Sequence, residues 1–241
     1  MPASPWWSTP VASEPVDTAT PLPTRLPVAV LISGSGSNLQ AIIDAEQAGE
    51  LPIDIRVVVS NRADAHGLTR ARAAGIETRV LSHKNFPSRA HYDMALAALL
   101  DERDPGLVVL AGFMRILTPA FVAGFRGRMF NIHPSLLPKY PGLHTHQRAL
   151  DAGDAEHGAT VHFVTEELDG GPAVIQARVP VLPGDDAERL AARVLEQEHR
   201  IYPLAVRWFA TGRLRLDAAG RVLLDGTPLS APVQLADVAE G

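Results

Sequence analysis

Pro27-Val28-Ala29-Val30-Leu31-Ile32-Ser33-Gly34-Ser35-Gly36-Ser37-Asn38 decides the fold class of this chain. The run from Pro27 to Ile32 is continuously apolar, as a strand buried on both faces requires. A loop of small residues follows at once. From Leu39 to Ala48 the spacing is helical, with Leu39, Ile42 and Ile43 on one face. Strand, small-residue loop and helix together present free backbone N–H groups to an anion. Glycines let the backbone come close to a phosphate, and the Ser and Asn side chains add donors. Leu39 stands where a dinucleotide fingerprint has its last glycine, and no Gly-Lys-Ser/Thr follows. A single phosphomonoester therefore fits best if the loop binds an anion, and a plain tight turn remains the other reading of the same residues.

The same alternation continues. Ile53 to Val59 reads as a second strand, Ala65 to Ala74 as a helix closed by Gly75, and Thr78 to Leu81 as a short third strand. Ser88 caps a helix running to about Leu100, and Leu107 to Ala111 is a strongly apolar strand. This order predicts a Rossmann-like α/β fold, an open, mostly parallel twisted sheet with helices on both faces. Ligands bind such sheets beyond the carboxyl ends of the strands. The Gly-Ser loop, Met114 to Leu117, and Asn131 with His133 all fall at such ends.

Phe130-Asn131-Ile132-His133 ends another apolar run, and three prolines and a glycine follow within the next ten residues. On a strand, Asn131 and His133 point the same way and Ile132 the opposite way. The prolines remove backbone donors and fix φ, so the loop is stiff. An amide and an imidazole side by side suit a reaction that develops negative charge on an oxygen. A structural hydrogen-bonding histidine is the plainer reading of His133 alone. Further on, Ala159 to Thr165 and Ala173 to Val181 read as an antiparallel pair, with Val161 and Phe163 alternating against Thr160 and His162. A turn-rich loop, Glu166 to Pro172, joins them. A long helix then runs from Asp185 or Asp186 to about Ala210, and Arg213 to Leu224 form a small hairpin. His144 and His146 share an i, i+2 spacing, but no third ligand supports a metal. His162 fits core packing or the site equally well.

The chain has 241 residues, 46% of them hydrophobic, which suffices for a single domain over residues 27–230. A net charge of -5 argues against nucleic-acid partners. There is no cysteine, so disulfides and thiolate chemistry are excluded. No apolar run approaches the ~18 residues of a membrane span, and a cytoplasmic location is expected. Residues 1–26 are rich in Pro, Ser, Thr and Ala and read as a disordered leader, a plain extension or, as the alternative, one whose Trp6 and Trp7 dock on a partner subunit. Residues 231–241 read as a frayed tail.

Taken together, Ile32 to Gln40, Leu110 to Leu117, Asn131 to Gly142 and Leu168 to Pro172 resemble the phosphoribosylglycinamide formyltransferase family, over about Pro27 to Leu216. That resemblance implies formyl transfer from 10-formyltetrahydrofolate, a cosubstrate, to the glycine amine of 5-phosphoribosylglycinamide, without a metal, by a monomer or homodimer. It implies Asn131, His133 and Asp169 as the catalytic set. It implies Gly36, Ser37, Asn38, Leu39 and Gln40 at the substrate phosphate and Glu198 at the glycinamide end. It implies Arg89, Met114, Arg115, Ile116, Leu117, Asn131, Thr165, Glu166, Glu167, Leu168 and Asp169 around the folate. In that scheme Asn131 and a protonated His133 donate to the oxyanion, and Asp169 favours the charged imidazole and orders a water for proton transfer. Three rival readings remain. A formyltetrahydrofolate hydrolase carries an extra regulatory domain and another His where this chain has Pro134. A methionyl-tRNA formyltransferase adds a C-terminal RNA-binding domain. A phosphosugar-binding module needs no such trio.

Overall fold

Apolar runs become strands, and as far as β6 the segments between them become helices. They are β1 (Leu26–Ile32), α1 (Ser37–Gln47), β2 (Ile53–Ser60), α2 (His66–Ala73), β3 (Thr78–Val80), α3 (Arg89–Asp101) and β4 (Leu107–Leu110). The chain continues with α4 (Pro119–Gly124), β5 (Met129–His133), α5 (Thr145–Asp151), β6 (Glu156–Phe163), β7 (Ala173–Pro180) and α6 (Ala187–Ala210). Four short strands follow: β8 (Leu214–Leu216), β9 (Val222–Leu224), β10 (Thr227–Pro228) and β11 (Val233–Gln234). This computed structural model describes residues 25–238.

The main sheet has the order β11-β7-β6-β5-β4-β1-β2-β3. β1 to β5 are parallel to one another, β6 is antiparallel to both β5 and β7, and β11 is parallel to β7. The chain steps from β1 outward to β3 and then returns to β4 on the other side of β1. That reversal opens a crevice above the carboxyl ends of β1 and β4. β8, β9 and β10 form a separate small antiparallel sheet.

Alternation along each strand sorts side chains between two cores. Val28, Val30 and Ile32 of β1 pack with α1, α2 and α6, whereas Ala29 and Leu31 pack with α3 and α4. Phe130, Phe163 and Phe209 meet edge to face, at 4.7 Å for Phe130 and Phe163 and 5.4 Å for Phe130 and Phe209. Each such pair adds about 0.5–1.5 kcal/mol beyond burial.

The second face of β5, β6 and β7 is polar instead. Phe130, Ile132, Ala159, Val161, Phe163 and Ile175 turn toward α6. Their neighbours Asn131, His133, Thr160, His162 and Gln176 turn the other way, and the last four are buried. Loop backbone, in place of a helix, meets them. Thr160 Oγ1 donates to the Ser135 carbonyl (2.7 Å) and accepts from Leu137 N (3.1 Å) and Gln176 Nε2 (3.0 Å). Gln176 Nε2 also reaches the Leu137 carbonyl at 2.8 Å. The proline-rich loop is therefore tied down onto the sheet, since buried polar groups must find partners.

The structure departs from the sequence-based expectation in three places. Leu26, expected in the leader, is the first residue of β1 and pairs with Ile53, because its buried side chain packs on Gly106. Within residues 231–241, expected to fray, Val233 and Gln234 pair with Ile175 and Gln176, and Leu235 and Val238 rest on the main core. The open edge of β7 offers unpaired backbone groups that even two residues can use. The helix α4 adds an element to the expected set. Thr118 followed by Pro119 is its N-terminal signal, and the Thr118 hydroxyl accepts from Phe121 N. The remainder of the leader, with Trp6 and Trp7, lies outside the described residues.

His157 on β6 packs edge-on against His146 of α5, with ring centroids 5.2 Å apart. Burial, then the neighbouring His146, lower the His157 pKa from the usual 6.5 to about 4. The unfolded chain thus binds a proton that the folded chain refuses, so stability held above pH ~6.5 is lost as pH falls. Unfolding free energy should fall by about 2 kcal/mol between pH 7 and 5 through this group. Denaturant titrations of wild type and His157→Gln at both pH values check it, and an identical pH slope in the variant would refute it.

Candidate active site

β5 ends the parallel part of the sheet and delivers Asn131 and His133 onto the polar face, two residues apart. His133 is 5% exposed. Its Nε2 donates to the Tyr140 carbonyl at 2.8 Å, a contact made possible because the loop doubles back with Tyr140 at φ 56 and Gly142 at φ 81. Tyr140 is itself anchored. Its hydroxyl donates to Asp154 Oδ2 at 2.8 Å, and the Arg148 guanidinium lies 5.1 Å over its ring.

Asp169 comes from the loop between β6 and β7, which folds back across the polar face. Its Oδ2 lies 3.4 Å from His133 Nδ1 and accepts from Gly142 N at 2.8 Å. Its Oδ1 lies 3.9 Å from His162 Nε2. The loop can approach this closely because residue 171 is glycine: a Cβ there would sit 1.8 Å from the Phe163 carbonyl oxygen. Both ring nitrogens of His133 thus face protein oxygens, the Tyr140 carbonyl and the Asp169 carboxylate.

His162 pairs directly across the ladder from Asn131. Its Nδ1 donates to the Phe163 carbonyl at 2.9 Å. Burial holds its pKa below the usual value, so the ring is neutral and Nε2 is an acceptor. Asn131 Nδ2 donates to that Nε2 at 3.2 Å. The amide is thereby oriented, with one further Nδ2 proton available for another acceptor. Sequence leaves His162 between core and site; the structure puts it at the site, behind Asn131.

At the carboxyl end of β1 the Gly-Ser loop leads into α1. Gly36 takes φ 71, and no backbone or side-chain acceptor among the described residues meets the amides of Ser35 to Leu39. Asn38 is buried; its Nδ2 donates to Glu198 Oε2 at 2.6 Å, while its Oδ1 has no partner among the described residues. Burial pushes the Glu198 carboxyl pKa up, against the opposing Asn38 donor. One turn on along α6, the Tyr202 hydroxyl is shared between the carbonyls of Leu110 (2.9 Å) and Phe130 (3.2 Å). The helix carrying Glu198 is thus tied to the last residue of β4 and to the first half of β5.

The other residues singled out by sequence are dispersed around this centre. Ser33 Oγ, at the head of the Gly-Ser loop, accepts from Met114 N at 2.8 Å and donates to Asn61 Oδ1 at 2.6 Å, tying the loop after β4 to the one after β1. Met114 and Ile116 are exposed, Leu117 is buried, and Arg115 lies 5.0 Å over the Tyr92 ring. Glu166, Glu167 and Leu168 are exposed beside Asp169. Arg89 is exposed at the first turn of α3, and among the described residues no contact joins it to Asn131, His133 or Asp169. Gln40 faces the α2 side of its helix, through Arg70. His144 takes φ 59 before α5, and among the described residues no three His, Cys, Asp or Glu side chains converge as metal ligands would. A cavity of about 1380 Å³ between α1, α6 and the C-terminal segment includes none of the candidate catalytic side chains.

Comparison with known proteins agrees with this geometry. A family model described as Formyl transferase matches residues 26–206. The phosphoribosylglycinamide formyltransferase of Escherichia coli (strain K12) is 57% identical over 210 residues, covering 87% of this chain and 99% of that protein. The structure of the phosphoribosylglycinamide formyltransferase from Coxiella burnetii, in complex with CHES, superposes with a TM-score of 0.84 at 55% identity, covering 87% of this chain and 99% of that one. A formyltetrahydrofolate deformylase from Pseudomonas putida KT2440 superposes with a TM-score of 0.75 at 27% identity, over 83% of this chain and 70% of that one. A strand-end Asn131 and His133 met by a returning Asp169, within a chain so matched, place this protein in the formyl transferase family.

Proposed function

We propose that the chain transfers the formyl group of 10-formyltetrahydrofolate to the glycine amine of 5-phosphoribosylglycinamide, a step of purine biosynthesis. The observation that carries this reading is the Asp169 carboxylate 3.4 Å from His133, on the face that also holds Asn131. The amine attacks the formyl carbon, a C–N bond forms, and the carbonyl oxygen becomes an oxyanion. Collapse breaks the bond to the folate nitrogen, which takes up a proton as the former amine loses one.

Asn131 supplies the oxyanion donor, using the amide proton not given to His162. His133 supplies a second donor. Its Nε2 already serves Tyr140, so its proton reaches the oxyanion when substrate oxygen replaces that carbonyl, or passes through a water held by Asp169. The unpartnered amides at the start of α1 hold the phosphate. Glu198, held by Asn38, receives the glycinamide end. The folate lies against the exposed apolar side chains Met114, Ile116 and Leu168, since such surface on loops marks binding. Arg89, Arg115 and the rest of Thr165 to Glu167 complete that wall.

Three outcomes test the reading, using the full chain with both substrates and a water-only control that counts formate. His133→Ala and Asn131→Ala should each lower kcat by roughly 10²–10³-fold with the fold intact by circular dichroism; near-normal turnover, or formate release in place of transfer, would sink it. Glu198→Gln should raise KM for the amine substrate by roughly 10–100-fold and leave KM for the formyl donor alone. Gly171→Ala should lower kcat while leaving phosphate-ligand binding unchanged, because the forbidden Cβ displaces the Asp169 loop rather than the α1 loop.

A further inference from the structure

Two consecutive carbonyls of the Gly-Ser loop are held by α2. Gly67 N donates to the Gly34 carbonyl at 3.1 Å, and Arg70 Nε donates to the Ser35 carbonyl at 2.9 Å. In a trans peptide the carbonyl and the following N–H point in opposite directions. The amides of Ser35 and Gly36 are therefore turned away from α2. Arg70 Nη1 also holds Gln40 Oε1 at 3.3 Å, one turn into α1. Among the described residues Arg70 forms no ion pair with a carboxylate, unlike its neighbour Arg62 with Asp64. The contact is tight: a Cβ on Gly36 would lie 2.5 Å from Gly67 Cα, and one on Gly67 would lie 2.6 Å from Ile32 Cδ1. Opposite this buttress, the Asn38 carboxamide oxygen is buried and without a partner among the described residues.

We propose that Arg70 is a positioning residue for substrate phosphate: its guanidinium fork grips the Ser35 carbonyl and Gln40 so that the Ser35 and Gly36 N–H groups stand ready for the anion. The residue does not touch the reacting atoms. It fixes in advance the orientation of amides that would otherwise lose entropy on binding. A fork is needed because Nε and Nη1 serve two acceptors at once, which a lysine ammonium on a flexible stem does not reproduce. The identity of the phosphate bearer rests on the formyl-transfer reading, whereas the anion affinity of the loop does not.

The experiment compares wild type, Arg70→Met and Arg70→Lys as full-length proteins. Calorimetry reads the Kd for inorganic phosphate and for ribose 5-phosphate, and steady-state assays read KM and kcat for phosphoribosylglycinamide and for its dephosphorylated riboside. Arg70→Met keeps the apolar stem that packs on Gly36, so folding is preserved. The expected result is a roughly 10–100-fold weaker Kd and higher KM for the phosphorylated ligands. Values of kcat, of KM for the formyl donor and of kcat/KM for the riboside should stay within about two-fold, and Lys should not restore binding. Equal losses for riboside and ribotide, full rescue by Lys, unchanged phosphate affinity in Arg70→Met, or no phosphate binding by wild type would each overturn the proposal. Should wild type fail to transfer formyl groups at all, the phosphate titrations still decide the role of Arg70.

Discussion

The Thr160 hydroxyl is the point on which the site depends. It sits fully buried on the polar face of β6, where three partners converge on it. A buried hydroxyl without partners would cost on the order of 1–3 kcal/mol. Satisfying it pins residues 135 and 137, and that anchorage lets the chain turn so that the Tyr140 carbonyl meets His133 and Gly142 N meets Asp169. Half of the sheet is thus built as a platform: apolar below, toward α6, and polar above, where loop backbone takes the place of a covering helix.

Two histidines on that platform have opposite fates for physical reasons. His162 gives its proton to a neighbouring carbonyl and is kept neutral by burial, so it serves as an acceptor that aims Asn131. His133 lies between a carbonyl and a carboxylate, both of them oxygen acceptors. In the proposed mechanism one residue type supplies both an aiming device and a proton carrier, and the partners decide which. At the other end of the crevice, charge is provided without any lysine: the loop before α1 presents amides, and the buried Glu198 faces it through Asn38.

Much of this architecture is legible in residue order alone. Apolar runs of the right length mark the parallel strands, and the alternation of Val161 and Phe163 against Thr160 and His162 marks the two-faced β6. The returning position of Asp169 comes from resemblance, because no periodicity links it to His133. Other features leave no trace in residue identity. The Tyr140 carbonyl that holds His133 is backbone, which every residue carries. His162 becomes a partner of Asn131 only once the register of β5 against β6 is known. The pairing of β11 is hidden because two residues are too few to show a period, and what recruits them is the unpaired edge of β7.

Asp169 also carries a backbone peculiarity, φ 52, in the left-handed region where few side chains are at ease. Short polar side chains tolerate that region, and longer or branched ones do so poorly. On the proposed mechanism, conformation and proton chemistry filter this position independently. Asparagine passes the first filter and fails the second, glutamate the reverse. In distant descendants of this chain, drift at residue 169 would be closed off from both directions.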